Sequence, residues 1–450
     1  MGNRVLDVDG QPPAQDTAGC SSRREATTDT MTSKSLESLT MELLQKVIPA
    51  THAILFTRLN HNLRTAATSM DNLQVEITTS CMDLGHLQTG MTTYGSRMTA
   101  FHWTHPRLDG GVGALRTKGS AYLCTGEEFH IISDILAPCT ALTELTLASA
   151  IGRFRPETDQ RQTWINSLNM ALLNMTGLTI LNLSHNPTHI LPAPEGWPAQ
   201  PGPFLQALRI LDLSCTHLQP RHLANMGHLW QSATNLSHLD LANNTLGNDG
   251  MSILATQLTS LTATIRHLNL SGNNINKGGR RCLERLFMHL TTLQSINVGH
   301  NKLEHQGILQ LLQGMENLSV TNLSLANTDV NRQHFWQDII GGIFSNLTTL
   351  QKLDLDHANL GDTGAQALAT YIRQSTNISS LHLEYNNIHR TGGIAIARAL
   401  PYLRRLFELN ISRNMIGSQA VMEIAATLSN HTSLTALALR DTAMQVITPG

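Results

Sequence analysis

Apolar and polar positions follow a fixed order near the middle of the chain. The nine residues that begin at Leu236, LSHLDLANN, carry leucine at the first, fourth and sixth positions and Asn244 at the ninth. Alternation of this kind sends the fourth and sixth side chains to one face of a short strand. Apolar residues then recur at helical spacing as far as Leu258. The segment predicts a strand, a turn in which Asn244 hydrogen-bonds backbone groups, and a helix that covers the apolar face of the strand.

The same pattern recurs along most of the chain. From Leu178 onward, successive units begin 27 to 30 residues apart. The first positions of the units are Leu142, Leu178, Leu208, Leu236, Ile265, Leu293, Val320, Leu350, Ile378, Leu406 and Leu434. One such unit cannot bury its own apolar face, so it requires neighbours on both sides. The repetition therefore predicts a solenoid of stacked units.

The spacing L-x-x-L-x-L-x-x-N resembles that of leucine-rich repeat proteins. The long period is similar to that of ribonuclease inhibitor and of the sensor arrays of intracellular immune receptors. This resemblance implies an α/β horseshoe with a parallel concave sheet, convex helices and an N-terminal helical cap that shields the first repeat. Ribonuclease inhibitor itself is disfavoured, because the six cysteines of this chain are few beside the abundant cysteines of that protein.

Composition divides the chain into four regions. We expect a disordered leader at 1–33, a helical segment at 34–70, degenerate repeats at 71–140 and the regular repeat array at 141–450. Alternation at Leu73, Val75 and Ile77 predicts a strand within the third region. In the array, the prolines between Asn186 and Leu208 are expected to prevent a regular helix on the convex side.

Residues 39–67, LTMELLQKVIPATHAILFTRLNHNLRTAA, resemble an F-box. In that family these helices dock on the Skp1 adaptor of a cullin-type ubiquitin ligase, and a downstream leucine-rich repeat array selects the substrate. The positions expected to contact a Skp1-like adaptor are Leu39, Leu43, Leu44, Val47, Ile48, Leu55 and Leu59. Two features depart from the family: Thr40 replaces its usual proline, and the stretch 49–55 is poor in leucine. The alternative is that these helices only cap the first repeat.

The third, fifth, seventh and eighth positions of each unit are expected to project from the concave sheet. Because neighbouring strands lie about 4.8 Å apart, equivalent positions form columns of side chains. Most of these side chains are small and polar, which is typical of a solvated sheet face. The C-terminal units carry larger and charged residues, namely Lys352, Asp354, Asp356, His357, His382, Glu384, Tyr385, Glu408, Arg413 and Arg440. Tyrosine and arginine amid mixed charge favour a binding surface for a protein partner.

Charge and composition exclude several classes of function. The formal net charge of -2, with 14% charged residues, offers no basic surface for a nucleic-acid backbone. The sequence has neither a run of about 18 apolar residues nor the pattern of a signal peptide. The six cysteines form no C-x-x-C pair, which indicates a reducing compartment. We therefore expect a cytoplasmic protein, or one delivered into a host cytosol by a bacterium.

The concave positions give little indication of a metal site. His238 and His267 stand in one column, with Asp240 nearby. Adjacent parallel strands can bring two imidazoles together, but a third ligand for a metal ion is not evident. No metal ion or cofactor is therefore predicted.

Catalytic chemistry is equally weakly indicated. Cys215 is the cysteine of the concave side, and its neighbours His185 and His217 are interpreted as turn residues rather than as bases. No catalytic residue is predicted. The leading hypothesis is a non-catalytic recognition scaffold, and specifically an F-box-like substrate adaptor. The alternatives are a stand-alone binding or inhibitor protein and, from another class, an activator of the Ran GTPase, although the acidic tail of such activators is not found in this sequence.

Overall fold

The described strands form one open, parallel sheet in which each strand lies beside its neighbours in sequence. The computed structural model describes residues 136–148, 168–186, 203–261, 264–330, 334–429 and 431–442, together with the backbone of β1 and β2. The strands in these parts are β1 (Leu73–Ile77), β2 (Met98–Trp103), β3 (Glu144–Thr146), β4 (Ile180–Asn182), β5 (Ile210–Asp212), β6 (His238–Asp240), β7 (His267–Asn269), β8 (Ser295–Asn297), β9 (Asn322–Ser324), β10 (Lys352–Asp354), β11 (Ser380–His382), β12 (Glu408–Asn410) and β13 (Ala436–Ala438).

Helices lie between the strands and form the second layer of the solenoid. The described α-helices are α1 (Pro203–Ala207), α2 (Pro220–Ala224), α3 (Gly227–Ser232), α4 (Gly247–Gln257), α5 (Arg280–His289), α6 (Glu304–Gly314), α7 (Phe335–Gly341), α8 (Gly361–Gln374), α9 (Arg390–Ala399) and α10 (Gly417–Leu428). Short 3₁₀ helices occur at Leu258–Leu261, Lys277–Gly279, Ile343–Asn346 and Leu400–Tyr402. Helices of successive units pack against one another, as α8 does with α7 and α9. The predicted leucine-rich repeat solenoid is confirmed.

The core lies between the sheet and the helices. In β6, Leu239 and the following Leu241 are buried, whereas His238 and Asp240 on the opposite face are half-buried. The same alternation holds in β4 to β9 and in β12, whereas Lys352 of β10 is exposed and Ser380 of β11 is buried. Large aromatic side chains fill the wider spaces near the helices: Trp230, Trp336, Phe204, Phe287 and Phe344. Burial of one face in this way fixes which side chains remain on the concave face.

Buried asparagines at the ninth position link successive units. The Asn386 side chain donates a hydrogen bond to the carbonyl oxygen of Leu355, at 2.7 Å, in the preceding unit. Its Oδ1 accepts from the backbone N–H groups of Ala358 (3.0 Å) and Leu360 (3.2 Å). Asn244, Asn301 and Asn414 make equivalent bonds. The predicted role of this asparagine in the turn is confirmed, and the bonds reach the neighbouring repeat as well.

The proline-rich connection after β4 differs from the expectation. A short helix, α1, begins at Pro203, and its Phe204 and Leu205 side chains are buried. Proline is tolerated in the first turn of a helix because the N–H that it lacks has no partner there in any case. The prediction that no helix forms between Asn186 and Leu208 was therefore wrong for its last turn.

The N-terminal expectations are tested only in part. The predicted strand at Leu73–Ile77 is present, and it pairs with β2, which in turn pairs with β3. The leader at 1–33 and the F-box-like residues 39–67 lie outside the described residues. Within the described parts, none of the helices has the length and apolar character required to cross a bilayer.

Candidate protein-binding surface

Strand register brings the predicted site residues together on the concave face. Asp354 at the end of β10 is the register partner of His382 at the end of β11. Asp356 follows Asp354 by two residues and therefore projects on the same side. The predicted residues, which we call the C-terminal charged surface, are Lys352, Asp354, Asp356, His357, His382, Glu384, Tyr385, Glu408, Arg413 and Arg440.

Two aspartates and one histidine converge at the centre of this surface. One side-chain ligand atom from each of Asp354, Asp356 and His382 lies within 4.8 Å of the other two. The hydroxyl of Ser324 on β9 donates to Oδ2 of Asp354 at 2.8 Å. The backbone N–H of Asp356 donates to Oδ1 of Asp354 at 3.0 Å. The backbone N–H of Glu384 donates to Oδ1 of Asp356. Each carboxylate is thus held by a neighbouring strand or turn.

The environment of Asp356 disfavours its charged form. Burial raises the pKa of this carboxyl from 3.8 to about 6, and the nearby carboxylates of Asp354 and Glu384 also raise it. The hydrogen bond from the Glu384 N–H and the charge of His382 oppose this shift. Removal from water is the largest cause, and it raises the pKa because it penalises the ionised form of the carboxyl.

Ion pairs connect the turns that follow β11, β12 and β13. Nη1 of Arg413 lies 3.2 Å from Oε1 of Glu384, and its Nε lies 4.0 Å from Oδ2 of Asp441. Oε2 of Glu384 accepts a hydrogen bond at 2.9 Å from the side chain of Asn410. Glu384 is therefore bound on both oxygens, which orients it and Arg413 without a partner molecule.

The carboxylate of Glu408 lies beside the imidazole of His382. Oε2 of Glu408 is 3.3 Å from Nε2 of His382 and accepts a hydrogen bond from the Ser380 hydroxyl at 2.9 Å. The Ser380 hydroxyl, followed by His382 and Lys352, lowers the pKa of Glu408. Glu408 thus remains ionised beside the imidazole.

Exposed aromatic rings border the charges. The rings of His357 and Tyr385 stack with their centroids 4.6 Å apart, and Tyr385 is 54% exposed. Nζ of Lys352 lies 5.8 Å from the centroid of Phe407. Phe407 was missed in the sequence because it occupies the second position of its unit, which was not expected to project from the concave face. An exposed aromatic residue immediately before a strand is the signal that could have found it.

Arg440 is placed differently from the other predicted residues. Its backbone N–H donates to the Ser412 hydroxyl at 3.1 Å, and its carbonyl oxygen accepts from the N–H of Arg413 at 2.7 Å. The structure therefore places the Arg440 backbone beside the Arg413 turn, and the exposed side chain at the edge of the surface.

Concave side chains of β6 and β7 line a shallow depression that is distinct from the C-terminal charged surface. The rings of His238 and His267 stack with their centroids 3.9 Å apart, which confirms that adjacent strands bring them together. Burial lowers the pKa of both histidines, and for His267 the charges of His238 and Arg266 add to this effect. The depression, of about 390 Å³, also contains Asp240 and Asp212. Oδ2 of Asp240 accepts from the Asn269 side chain at 2.9 Å.

Of the described cysteines, Cys139 is buried in the core and Cys215 lies in a turn. Cys215, His185 and His217 all have a left-handed backbone, with φ of 56°, 60° and 57°, which confirms that the two histidines are turn residues. Burial raises the pKa of the Cys139 thiol to about 12. A thiol that stays protonated is a poor nucleophile.

Comparisons with known proteins agree with the repeat geometry. The model of the family described as "Leucine Rich repeat" matches residues 232–255, 263–283, 346–369 and 374–397. Ribonuclease inhibitor of Sus scrofa is 28% identical over 229 residues, which are 49% of this chain and 49% of that protein. The chain therefore contains leucine-rich repeats, and about half of its length is similar to ribonuclease inhibitor.

Two further proteins are similar to this chain. The leucine-rich repeat chain is 25% identical over 203 residues to human NACHT, LRR and PYD domains-containing protein 5, with 45% of this chain and 17% of that protein covered. A chain in the crystal structure of the Rad7 and Elc1 complex in yeast matches with a TM-score of 0.49 and 15% identity, covering 93% of this chain and 88% of that one. The matched segments span about half or less of the length of the two curated relatives.

The pKa of Asp356 predicts a specific dependence of stability on pH. Between pH 3.8 and about pH 6, the carboxyl of Asp356 keeps its proton in the folded state and releases it in the unfolded state. The contribution of Asp356 to the free energy of unfolding therefore falls as pH rises through this range and is lost above it. We expect Asp356→Asn to raise the free energy of unfolding at pH 7.5 by about 1 kcal/mol after allowance for solvent screening, and to leave it nearly unchanged at pH 4.

Urea denaturation at the two pH values, in buffer containing EDTA, measures this difference. Asp249→Asn, which removes an exposed carboxylate from α4, is the control for the change in net charge and should lack the gain. Equal effects of Asp356→Asn on the free energy of unfolding at pH 4 and pH 7.5 would contradict the raised pKa of Asp356.

Proposed function

We propose that this leucine-rich repeat protein is a non-catalytic scaffold that binds a protein partner on the C-terminal charged surface. Solenoids of this type use extended concave surfaces for binding. The observation that supports this site most directly is the exposed Tyr385, which stacks on His357 beside the Glu384–Arg413 ion pair. Tyrosine and arginine of this kind dominate the affinity of many protein interfaces.

The contacts within the surface favour tight binding because they order it in advance. Glu384 is bound by both Arg413 and Asn410, so the charged groups lose little freedom when a partner docks. The cost of ordering side chains is a substantial part of the free energy of association. An ordered surface with alternating charges also selects a partner of complementary charge.

The double variant Tyr385→Ala, Arg413→Ala tests the location of the interface. If these residues are anchors, the variant should weaken binding by about 2–4 kcal/mol. A partner is first identified by crosslinking of the intact chain in cell lysate, and the affinity of the purified partner is then measured by calorimetry. Binding that is unchanged in the variant would show that the interface lies elsewhere.

The matched control uses the same residue types at other sites. Arg398 is 62% exposed and, like Arg413, pairs with a glutamate, but it lies on the convex helix α9. Tyr402 is 48% exposed, close to the exposure of Tyr385. The double variant Tyr402→Ala, Arg398→Ala should therefore leave the affinity for the partner within about twofold of that of the wild type. An equal loss in both variants would indicate a general effect on the fold.

A more specific role concerns the N-terminal segment 39–67. We propose that residues 39–67 act as an F-box-like segment that binds a Skp1-type adaptor, so that the repeat array presents its protein partner to a ubiquitin ligase. The support for this role is the sequence pattern alone: Leu-Leu, Val-Ile and Pro in order, followed by apolar residues at helical spacing. The alternative is that the segment shields the first repeat from solvent.

Binding to purified Skp1 separates these two roles. The intact chain should retain Skp1 in a pull-down, and Leu43→Asp with Leu44→Asp should abolish retention, because charged groups cannot enter an apolar interface without a large desolvation cost. The melting temperature of the variant is measured as a control, because it should fall if the segment shields the first repeat. If the wild type does not bind Skp1, the adaptor role is refuted.

A further inference from the structure

Three metal-ligating side chains meet at the centre of the C-terminal charged surface. We propose that Asp354, Asp356 and His382 bind a divalent transition-metal ion of the zinc class. One oxygen of each carboxylate and one ring nitrogen of the histidine lie within 4.8 Å of one another. The site lies in the same surface as the proposed partner anchors Tyr385 and Arg413 and is linked to them through Glu384, but metal binding can be measured in the absence of a partner.

The separation of the ligand atoms is close to that of a bound site. Ligands of one tetrahedral Zn²⁺ lie about 2.1 Å from the metal and therefore roughly 3.4 Å from one another. A contraction of at most about 1.4 Å from the observed limit of 4.8 Å is within the reach of small side-chain rotations. The backbone need not move, because Asp354 and His382 are register partners on adjacent strands.

The ligands are held by a second set of hydrogen bonds. Ser324 orients Asp354 from β9, and the N–H of Glu384 orients Asp356 from the turn after β11. Such outer partners fix the direction of metal ligands and raise affinity. The three groups therefore come from two neighbouring units and are supported by a third, so the site exists only in the stacked solenoid.

The charge of the surface favours a cation at this point. Arg413 is engaged by Glu384 and Asp441, and Lys352 lies over the ring of Phe407. Within the part of the chain that the structure describes, no lysine or arginine forms an ion pair with Asp354 or Asp356. Two half-buried carboxylates close together repel each other, and a bound cation would remove this cost.

The imidazole supplies a further observation. Nε2 of His382 is shielded from solvent and lies 3.3 Å from Oε2 of Glu408. An imidazole beside two carboxylates suits Zn²⁺ or Mn²⁺ better than Ca²⁺ or Mg²⁺, which prefer ligand sets made of oxygen alone.

Titration of the intact chain with ZnCl₂ in a calorimeter tests the site. We expect one Zn²⁺ to bind the wild type at pH 7.5, and Asp356→Asn and His382→Ala each to weaken this binding at least about 10-fold. His267→Ala is the matched control because it removes a concave histidine from β7; it should change the affinity less than twofold. Binding should also weaken at pH 5.5, where protons compete with the metal for the ligands.

Two outcomes would overturn the proposal: no binding of Zn²⁺ by the wild type, or binding that is equal in the wild type and both site variants. Circular dichroism shows whether each variant is folded, and Asp354→Asn replaces any that is not. The visible absorption of Co²⁺ bound to the wild type gives an independent measurement, and it should disappear in His382→Ala. Neither result depends on the partner, so they are distinct from the test of the protein-binding surface.

Discussion

The structure depends on the hydrogen bonds that the buried asparagines make between successive repeats. Asn386 satisfies two backbone N–H groups and one carbonyl of the preceding unit, and Asn414 satisfies the same groups of the unit of Asn386. Buried backbone groups without partners are expensive, so a slip of one unit against the next is disfavoured. The strands therefore keep the same register across the sheet, and equivalent side chains form columns.

The functional surface follows from that register. Because β10, β11 and β12 are in step, Asp354, His382 and Asn410 lie side by side, and the turns after them bring Asp356 and Glu384 into contact. Residues that are about 28 positions apart in sequence thus form one site. The burial that results raises the pKa of Asp356 to about 6, which ties the electrostatics of the surface to the packing of the solenoid.

The sequence predicted the fold well because one pattern repeats and each copy supports the others. Leu239 and Leu241 reveal their buried face by alternation alone, and the charged columns near Lys352 are visible as soon as the units are aligned. Contacts that depend on rotamers could not be predicted in this way. The alignment places Asp354 and His382 in one column, but the convergence of their side chains with Asp356 depends on the donors Ser324 and Glu384. Helix α1 was missed because proline was treated as a breaker at every position, including the first turn.

The most direct test of this account is the free energy of unfolding of Asn386→Ala. The variant leaves the Leu355 carbonyl and the N–H groups of Ala358 and Leu360 without their partner, so a loss of about 2–4 kcal/mol is expected. Gln366→Ala, at an exposed position of α8, should change the free energy by no more than about 0.5 kcal/mol. If Asn386→Ala were as stable as this control, the bonds between repeats would not be what holds the register.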